Sequence, residues 1–309
     1  MNKDGELVID VHGLCKSFGS IKAVQDFAIG LHRGRIFGFL GPNGSGKTTT
    51  IRMLCGLLKI DSGYGTCLGF DLLTQTHEIR RQTGYMTQHF SLYEDLTIQE
   101  NLELVVRLYD MAPTQDIVAR QIHSMGLTEM RHIRAKALSG GWKQRLALAA
   151  CTIHTPKLLL LDEPTAGVDP QARREFWDQI HHFAAQGTTV LVSTHYMDEV
   201  ERCHEIAYIS RGHLLVRGTL EEILTKSGLI TWIVDGSDLL SLSTTLKTKP
   251  GVDQIGFMGN SLRLSSTNPD LLLQTINAFK KDNHYRWQET QPNAEDLFIL
   301  MAKDSNNVQ

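Results

Sequence analysis

The stretch GPNGSGKT, Gly41 to Thr48, sets glycines at its first and sixth positions and follows them with a lysine and a hydroxyl residue. That spacing suits a chain of phosphates. Glycines let successive backbone N–H groups turn inward around the anion, Lys47 brings a positive charge to the outer phosphates, and the Thr48 hydroxyl is a ligand for magnesium. Pro42, Asn43, Gly44, Ser45 and Gly46 complete the cradle begun by Gly41, and Thr49 carries it into the next turn. Further along, LLLLDEP ends an apolar run in two acids. Asp162 is placed to reach the same magnesium, and Glu163, one residue later, to orient or deprotonate an attacking water. Alone, such a pair also serves to end a strand and cap the next helix. Beside a phosphate loop it points to hydrolysis of a nucleoside triphosphate.

A second anion site is written into ALSGGWKQRLALA, which starts at Ala137. Gly140 and Gly141 precede a strong helix pattern from Trp142 to Ala150, although each glycine there costs roughly 0.5–1 kcal/mol relative to alanine. Ser139 and the bare backbone N–H groups behind it make a ready anion site. A glycine-rich cap with no ligand is the plain alternative.

These groups need elements to hold them. GRIFGFLG is a short, mostly apolar run closed by glycine, as a buried parallel strand is, and it delivers the phosphate loop to the helical SGKTTTIRMLCGLL. KLLLLDEP and TTVLVSTH are two more such runs, with the helical ARREFWDQIHHFAAQG between them, a strand, crossover helix and strand. ELVIDVHGL alternates like an edge strand. IQENLELVVRLYD and TQDIVARQIHSMGL read as two helices parted by Ala112 and Pro113, within a helical insert at about 90–155. The core is therefore α/β with a parallel sheet. From Gly228 the pattern becomes strand, helix, strand, strand, helix, strand, helix, with Gly259-Asn260 as a hairpin turn. That is the order of a small ferredoxin-like unit. The domains are drawn at 1–226 and 227–303, and the polar stretch 304–309 is expected to be disordered.

Composition narrows the function classes. A chain of 309 residues, 41% hydrophobic and 21% charged, buries a full core, and a net charge of −3 gives no general pull toward nucleic acid. The five cysteines are odd in number and scattered, which argues against a disulfide scaffold and a zinc site. MNKDGELVID has no apolar leader core, and no stretch approaches the roughly 18 apolar residues of a spanning helix. Work at a membrane is expected to need another chain for the spans.

Taken together, the phosphate loop, LLLLDEP and the LSGG of Leu138, Ser139, Gly140 and Gly141 resemble the ATP-binding cassette (ABC) family, over about Leu7 to Leu224. GVDP with STHYMDEVERC and a small final domain ending PNAEDLFILMA is similar to the export branch that includes daunorubicin-resistance-type ATPases. The resemblance implies a P-loop NTPase core, mainly parallel sheet with an antiparallel β subdomain and helical insert, plus the C-terminal α+β ferredoxin-like domain. It implies ATP and Mg2+ as ligands. It also implies that two cassettes stack head to tail, so that the anion at Ser139 is the γ-phosphate held by the other subunit. Gln88 in TGYMTQHFSLYEDLT then corresponds to the glutamine that senses magnesium and water, Asp169 in TAGVDP to the D-loop aspartate, His195 in STHYMDE to the switch histidine, and Phe18 in KSFGS to the adenine-stacking aromatic.

Partners implied are a polytopic membrane permease, contacted through Phe90 to Asn101, and a second ABC ATPase subunit as a homodimer, with the chain peripheral on the cytoplasmic face of the inner membrane and no nucleic acid bound. An importer subunit is the nearest alternative. A soluble ABC ATPase acting on ribosomes or nucleic acid would be expected to bring a second cassette, a coiled-coil insertion or a basic arm, and an ATP-sensing module to lack Glu163 or His195. The chain departs from the family at Ala166-Gly167-Val168, at Trp142, and at His204-Glu205, where a frequent Asp-Arg salt bridge is thereby in doubt.

Overall fold

The computed structural model describes residues 6–280 and 284–307, with side chains of the last helix given to residue 303. The chain divides between Arg217 and Gly218 into two compact units.

In the first unit the central sheet runs His213–Gly218, Glu205–Ser210, Ile36–Leu40, Thr189–Thr194, Leu158–Asp162, Thr83–Met86. Ile36–Leu40 pairs in parallel with Glu205–Ser210 and Thr189–Thr194, and Leu158–Asp162 in parallel with Thr189–Thr194 and Thr83–Met86. The three middle strands are buried from end to end. Their alternate residues enter opposite clusters, which is why they read as unbroken apolar runs. Leu159, Leu161, Val190 and Val192 pack with the helices of the insert, while Leu158, Leu160, Leu191 and Phe39 pack with Phe27 and Ile51 on the other face.

The second face is covered by an antiparallel sheet in the order Ile21–His32, Leu7–Phe18, Ser62–Cys67, Phe70–Asp71. Leu7–Phe18 is thus an interior strand, not the edge strand its alternation suggested. Alternation marks one wet face and one buried face, and in an antiparallel sheet an interior strand has both. The insert holds the helices Ile98–Leu108, Thr114–Ser124 and Gly140–Thr152. Thr97 and Glu100 form a capping box that fixes where the first begins.

The second unit carries a sheet in the order Gln254–Met258, Ser261–Ser266, Ile230–Gly236, Tyr285–Thr290, every pair antiparallel. With helices Leu239–Leu246 and Pro269–Phe279 as the connections, this is the ferredoxin-like arrangement. The helix Leu220–Ser227, assigned from the sequence to the cassette, belongs to this unit because it packs on the final helix. That final helix, Ala294–Asn307, continues through part of the stretch expected to be disordered, since extending an existing helix costs far less than starting one. Positions 308 and 309 lie outside the described residues.

Asp296 organises the second unit. It is 5% exposed and takes Nε and Nη2 of Arg263 at 2.6 to 3.0 Å, the Asn293 backbone N–H at 3.0 Å and the Thr231 hydroxyl at 3.3 Å. Replacing Arg263 with leucine strands that carboxylate, and we expect a loss of roughly 3–5 kcal/mol in urea unfolding of this unit. A loss below about 1 kcal/mol would show that solvent reaches the pair.

Candidate functional site

Strand Ile36–Leu40 ends at the phosphate loop, and helix Lys47–Leu54 begins behind it with Gly46 as its N-cap. Gly46 has φ 105°, and a Cβ there would lie 2.4 Å from the Ala23 carbonyl oxygen, so only glycine brings the loop this close to the antiparallel sheet. A cleft of about 360 Å³ opens over the helix start, walled by Asn43, Gly44, Thr48, Thr49, Gln88 and Glu163 among others. Inside the loop the Ser45 hydroxyl is buried with no hydrogen-bond partner among protein groups. An orphaned donor beside unpaired helix N–H groups is a cradle shaped for anionic oxygens.

Lys47 is 5% exposed and its ammonium donates to the carbonyls of Gly41 at 2.8 Å and Pro42 at 3.1 Å. Burial pushes its pKa below the usual lysine range, while the charges of Glu163 and Asp162 act in the opposite direction. Asp162, 1% exposed, accepts on one oxygen from the Thr48 hydroxyl at 3.1 Å and the Ser193 hydroxyl at 2.6 Å. Ser193 also accepts from the Glu163 N–H at 2.9 Å. This serine went unnoticed in the sequence, where its only mark is a polar break at the end of VLVSTH.

Glu163 is the meeting point. Its carboxylate accepts from the Gln88 amide at 2.9 Å, lies 3.4 Å from His195 Nδ1 and 4.0 Å from the Lys47 ammonium. Its backbone sits at φ 47°, a left-handed conformation that a non-glycine residue holds only when the surroundings enforce it. Two backbone acceptances by Ser193, through Oγ and through its carbonyl at 3.1 Å, supply that enforcement.

The residues for a magnesium ion fit it. Thr48 and Asp162 present hard oxygen ligands side by side, and Gln88 enters the same cleft. Among the described residues no group of three or more His, Cys, Asp and Glu side chains could hold a metal. A sparse oxygen set, completed by substrate phosphates and water, suits magnesium better than a transition metal.

Six of the sequence-derived residues, Lys47, Thr48, Gln88, Asp162, Glu163 and His195, therefore converge. The others do not. Ser139 stands exposed at the start of helix Gly140–Thr152 and its side chain caps nothing, while Asp169 caps helix Pro170–Ala185 by accepting from Ala172 N–H at 3.0 Å. Ser139, Gly141 and Asp169 line a separate cavity of about 250 Å³ that shares no residue with the phosphate cleft. Leu138 is buried in the core beneath them. Phe18 is 50% exposed and does not line the phosphate cleft. The doubtful His204-Glu205 position has its own solution: Glu205 pairs with Arg35 at 3.0 Å and Arg217 at 3.1 Å, and His204 accepts from the Ile36 N–H.

The family model described as ABC transporter matches residues 24–166. The probable multidrug ABC transporter ATP-binding protein YbhF of Escherichia coli K12 is 43% identical over 225 residues, which are 72% of this chain and 39% of that one. The chain thus spans well under half of that relative. The daunorubicin/doxorubicin resistance ATP-binding protein DrrA of Streptomyces peucetius is 38% identical over 74% of this chain and 70% of its own. Among solved structures, an ATP-binding subunit of an ABC transporter superposes with a TM-score of 0.65 at 27% identity, covering 72% of this chain and 93% of that one.

Two outcomes test the geometry. A Cβ on Gly141 would stand 2.7 Å from that of Ala172, so Gly141→Ala should cost about 1–3 kcal/mol in urea unfolding of the first unit, and no loss would mean the two helices part freely. With Lys47 depressed, the unfolded chain binds its proton more tightly than the folded one. Its contribution to stability therefore rises with pH up to the ordinary lysine value of 10.5. The Tm of the nucleotide-free wild type should gain on that of Lys47→Met as pH rises toward 10.5, and a difference that stays constant with pH would place the lysine in solvent.

Proposed function

The chain belongs to the ABC transporter family as an ATP-binding subunit, and on that premise we propose that it hydrolyses ATP to drive export through a separate membrane permease. The observation that carries the hydrolytic reading is the convergence of Lys47, Gln88 and His195 on Glu163, beside Asp162 and Thr48. Lys47 leaves the Gly41 and Pro42 carbonyls for the β- and γ-phosphates, since a desolvated ammonium gains most from a full anionic partner. That departure and the swing of Gln88 free the Glu163 carboxylate to take a proton from the attacking water. His195, 42% exposed at the rim, donates toward the γ-phosphate. Magnesium, when bound through Thr48 and Asp162 with Gln88 in reach, neutralises charge that develops on the phosphates.

The separation of the two cavities supports a dimer. The serine and helix N–H groups at 139–141 serve a phosphate that this chain's own loop does not bring to them, and a second copy stacked head to tail supplies it at both sites. Phe18, half exposed at the end of its strand with the Lys16 ammonium 5.7 Å from its ring, is proposed as the platform for the adenine ring.

Export rests on the relatives' names, which speak of a multidrug ABC transporter, of daunorubicin/doxorubicin resistance and of Nod factor export, and the importer reading has no such support. No helix among the described residues is long and apolar enough to cross a membrane. The proposed spans are those of a partner permease, with this chain peripheral to it on the cytoplasmic face of the inner membrane. A groove lined by Thr87, His89, Phe90, Ser91 and Leu92 is the proposed contact. The net charge and the relatives both weigh against nucleic acid as the partner. For the second unit, support of the dimer is the proposed role.

Glu163→Gln keeps the shape and the Gln88 contact but removes the base. It should bind ATP, lose hydrolysis by about a hundredfold or more, and accumulate as a dimer in light scattering. A variant that stays monomeric with MgATP would sink the composite-site reading.

A further inference from the structure

Glu199 lies four residues after His195, in the helix Met197–Val200, and is 1% exposed. A carboxylate this deep must be held by donors, and three segments of the site supply its surroundings. The Thr165 hydroxyl donates to its Oε1 from the loop that carries Glu163. Arg173 Nε approaches the same oxygen at 3.9 Å from helix Pro170–Ala185, whose cap is Asp169. The Arg173 guanidinium is stacked 4.1 Å over the Tyr196 ring and reaches Asp198 at 3.4 Å, and Tyr196 in turn rests 4.2 Å from the His195 ring.

The contact is incomplete. Glu199 Oε2 and Arg173 Nε are both buried and both lack a hydrogen-bond partner, although they belong to an acid and a base facing each other. A buried ion pair at 3.9 Å forgoes the charge-assisted bond it would make at about 2.8 Å. An approach of roughly an ångström would give Arg173 Nε the hydrogen bond it lacks, and an unmade buried bond is costly. That approach would draw Arg173 off the Tyr196 ring, which rests beside His195.

We propose that Arg173 and Glu199 form a latch that couples the Asp169 end of helix Pro170–Ala185 to the position of His195. The pair touches no reacting atom; it acts through His195 and is a positioning device. In its catalytic consequence it rests on the ATPase reading above. What happens at Asp169, on the face assigned to the second subunit, then sets whether the switch histidine is in place.

The test reads coupling and catalysis separately. Hydrogen exchange over 195–200 is compared with and without Asp169→Ala, in the wild type and in Glu199→Gln, Arg173→Met and Arg173→Lys backgrounds. Asp169→Ala should raise exchange severalfold in the wild type and in Arg173→Lys, and leave it unchanged in Glu199→Gln and Arg173→Met. In steady-state assays Glu199→Gln and Arg173→Met should lower kcat about tenfold with KM for ATP held within about twofold, and Arg173→Lys should recover part of it. Glu199→Gln keeps the Thr165 bond and the side-chain volume, so it carries the test if Arg173→Met does not fold. Equal exchange responses in every background overturn the latch even if all variants hydrolyse ATP. A wild type that shows the coupling but no hydrolysis leaves the latch standing and overturns the ATPase reading.

Discussion

One carboxylate oxygen, on a side chain almost closed off from water, holds the site together. Asp162 shares it between the Thr48 hydroxyl and the Ser193 hydroxyl. Thr48 belongs to the helix behind the phosphate loop, Asp162 to one buried strand, and Ser193 to the strand beside it. Three elements that are distant in sequence are registered to each other at a single point. Ser193 then extends the register by one residue, through the Glu163 N–H. The interior has little slack there, because an oxygen that lost either donor would remain buried. Asp162, the phosphate loop and Glu163 are therefore held at one spacing.

The buried strands were legible in the sequence because apolar runs ended by glycine or by charge have few other readings. Ile36–Leu40, Leu158–Asp162 and Thr189–Thr194 all fall where the runs lie. Gly259-Asn260 was legible for a related reason, since few other pairs turn so tightly between Met258 and Ser261. Leu7–Phe18 was misjudged as an edge because periodicity reports how many faces are wet and says nothing about neighbours along the sheet. The helix Leu220–Ser227 carries its own capping box, so its existence could be read, but which unit it packs against is a tertiary fact.

The same division runs through the site. Residues suited to phosphate, magnesium or an attacking water are constrained in type and spacing together, so Gly41 to Thr48, Asp162 and Glu163 stand out. Ser193 and Thr165 are ordinary hydroxyls whose importance lies only in what they face. Gly141 had looked like a concession to an anion. In the fold it answers first to the approach of Ala172, so one glycine of the pair is explained by packing of two helices and the other by an open helix end. That close contact also ties Ser139 and Asp169 to one rigid face. In the proposed head-to-tail dimer, this face, already formed, would meet the phosphate.

Glu163 holds a left-handed backbone. Asparagine or glycine would relax that conformation by about 1 kcal/mol or more, so the acid sits where folding alone would choose something else. Selection for heat resistance without selection for turnover should drift toward inert chains at this position, and the most durable member of a random library is a poor guide to the working one.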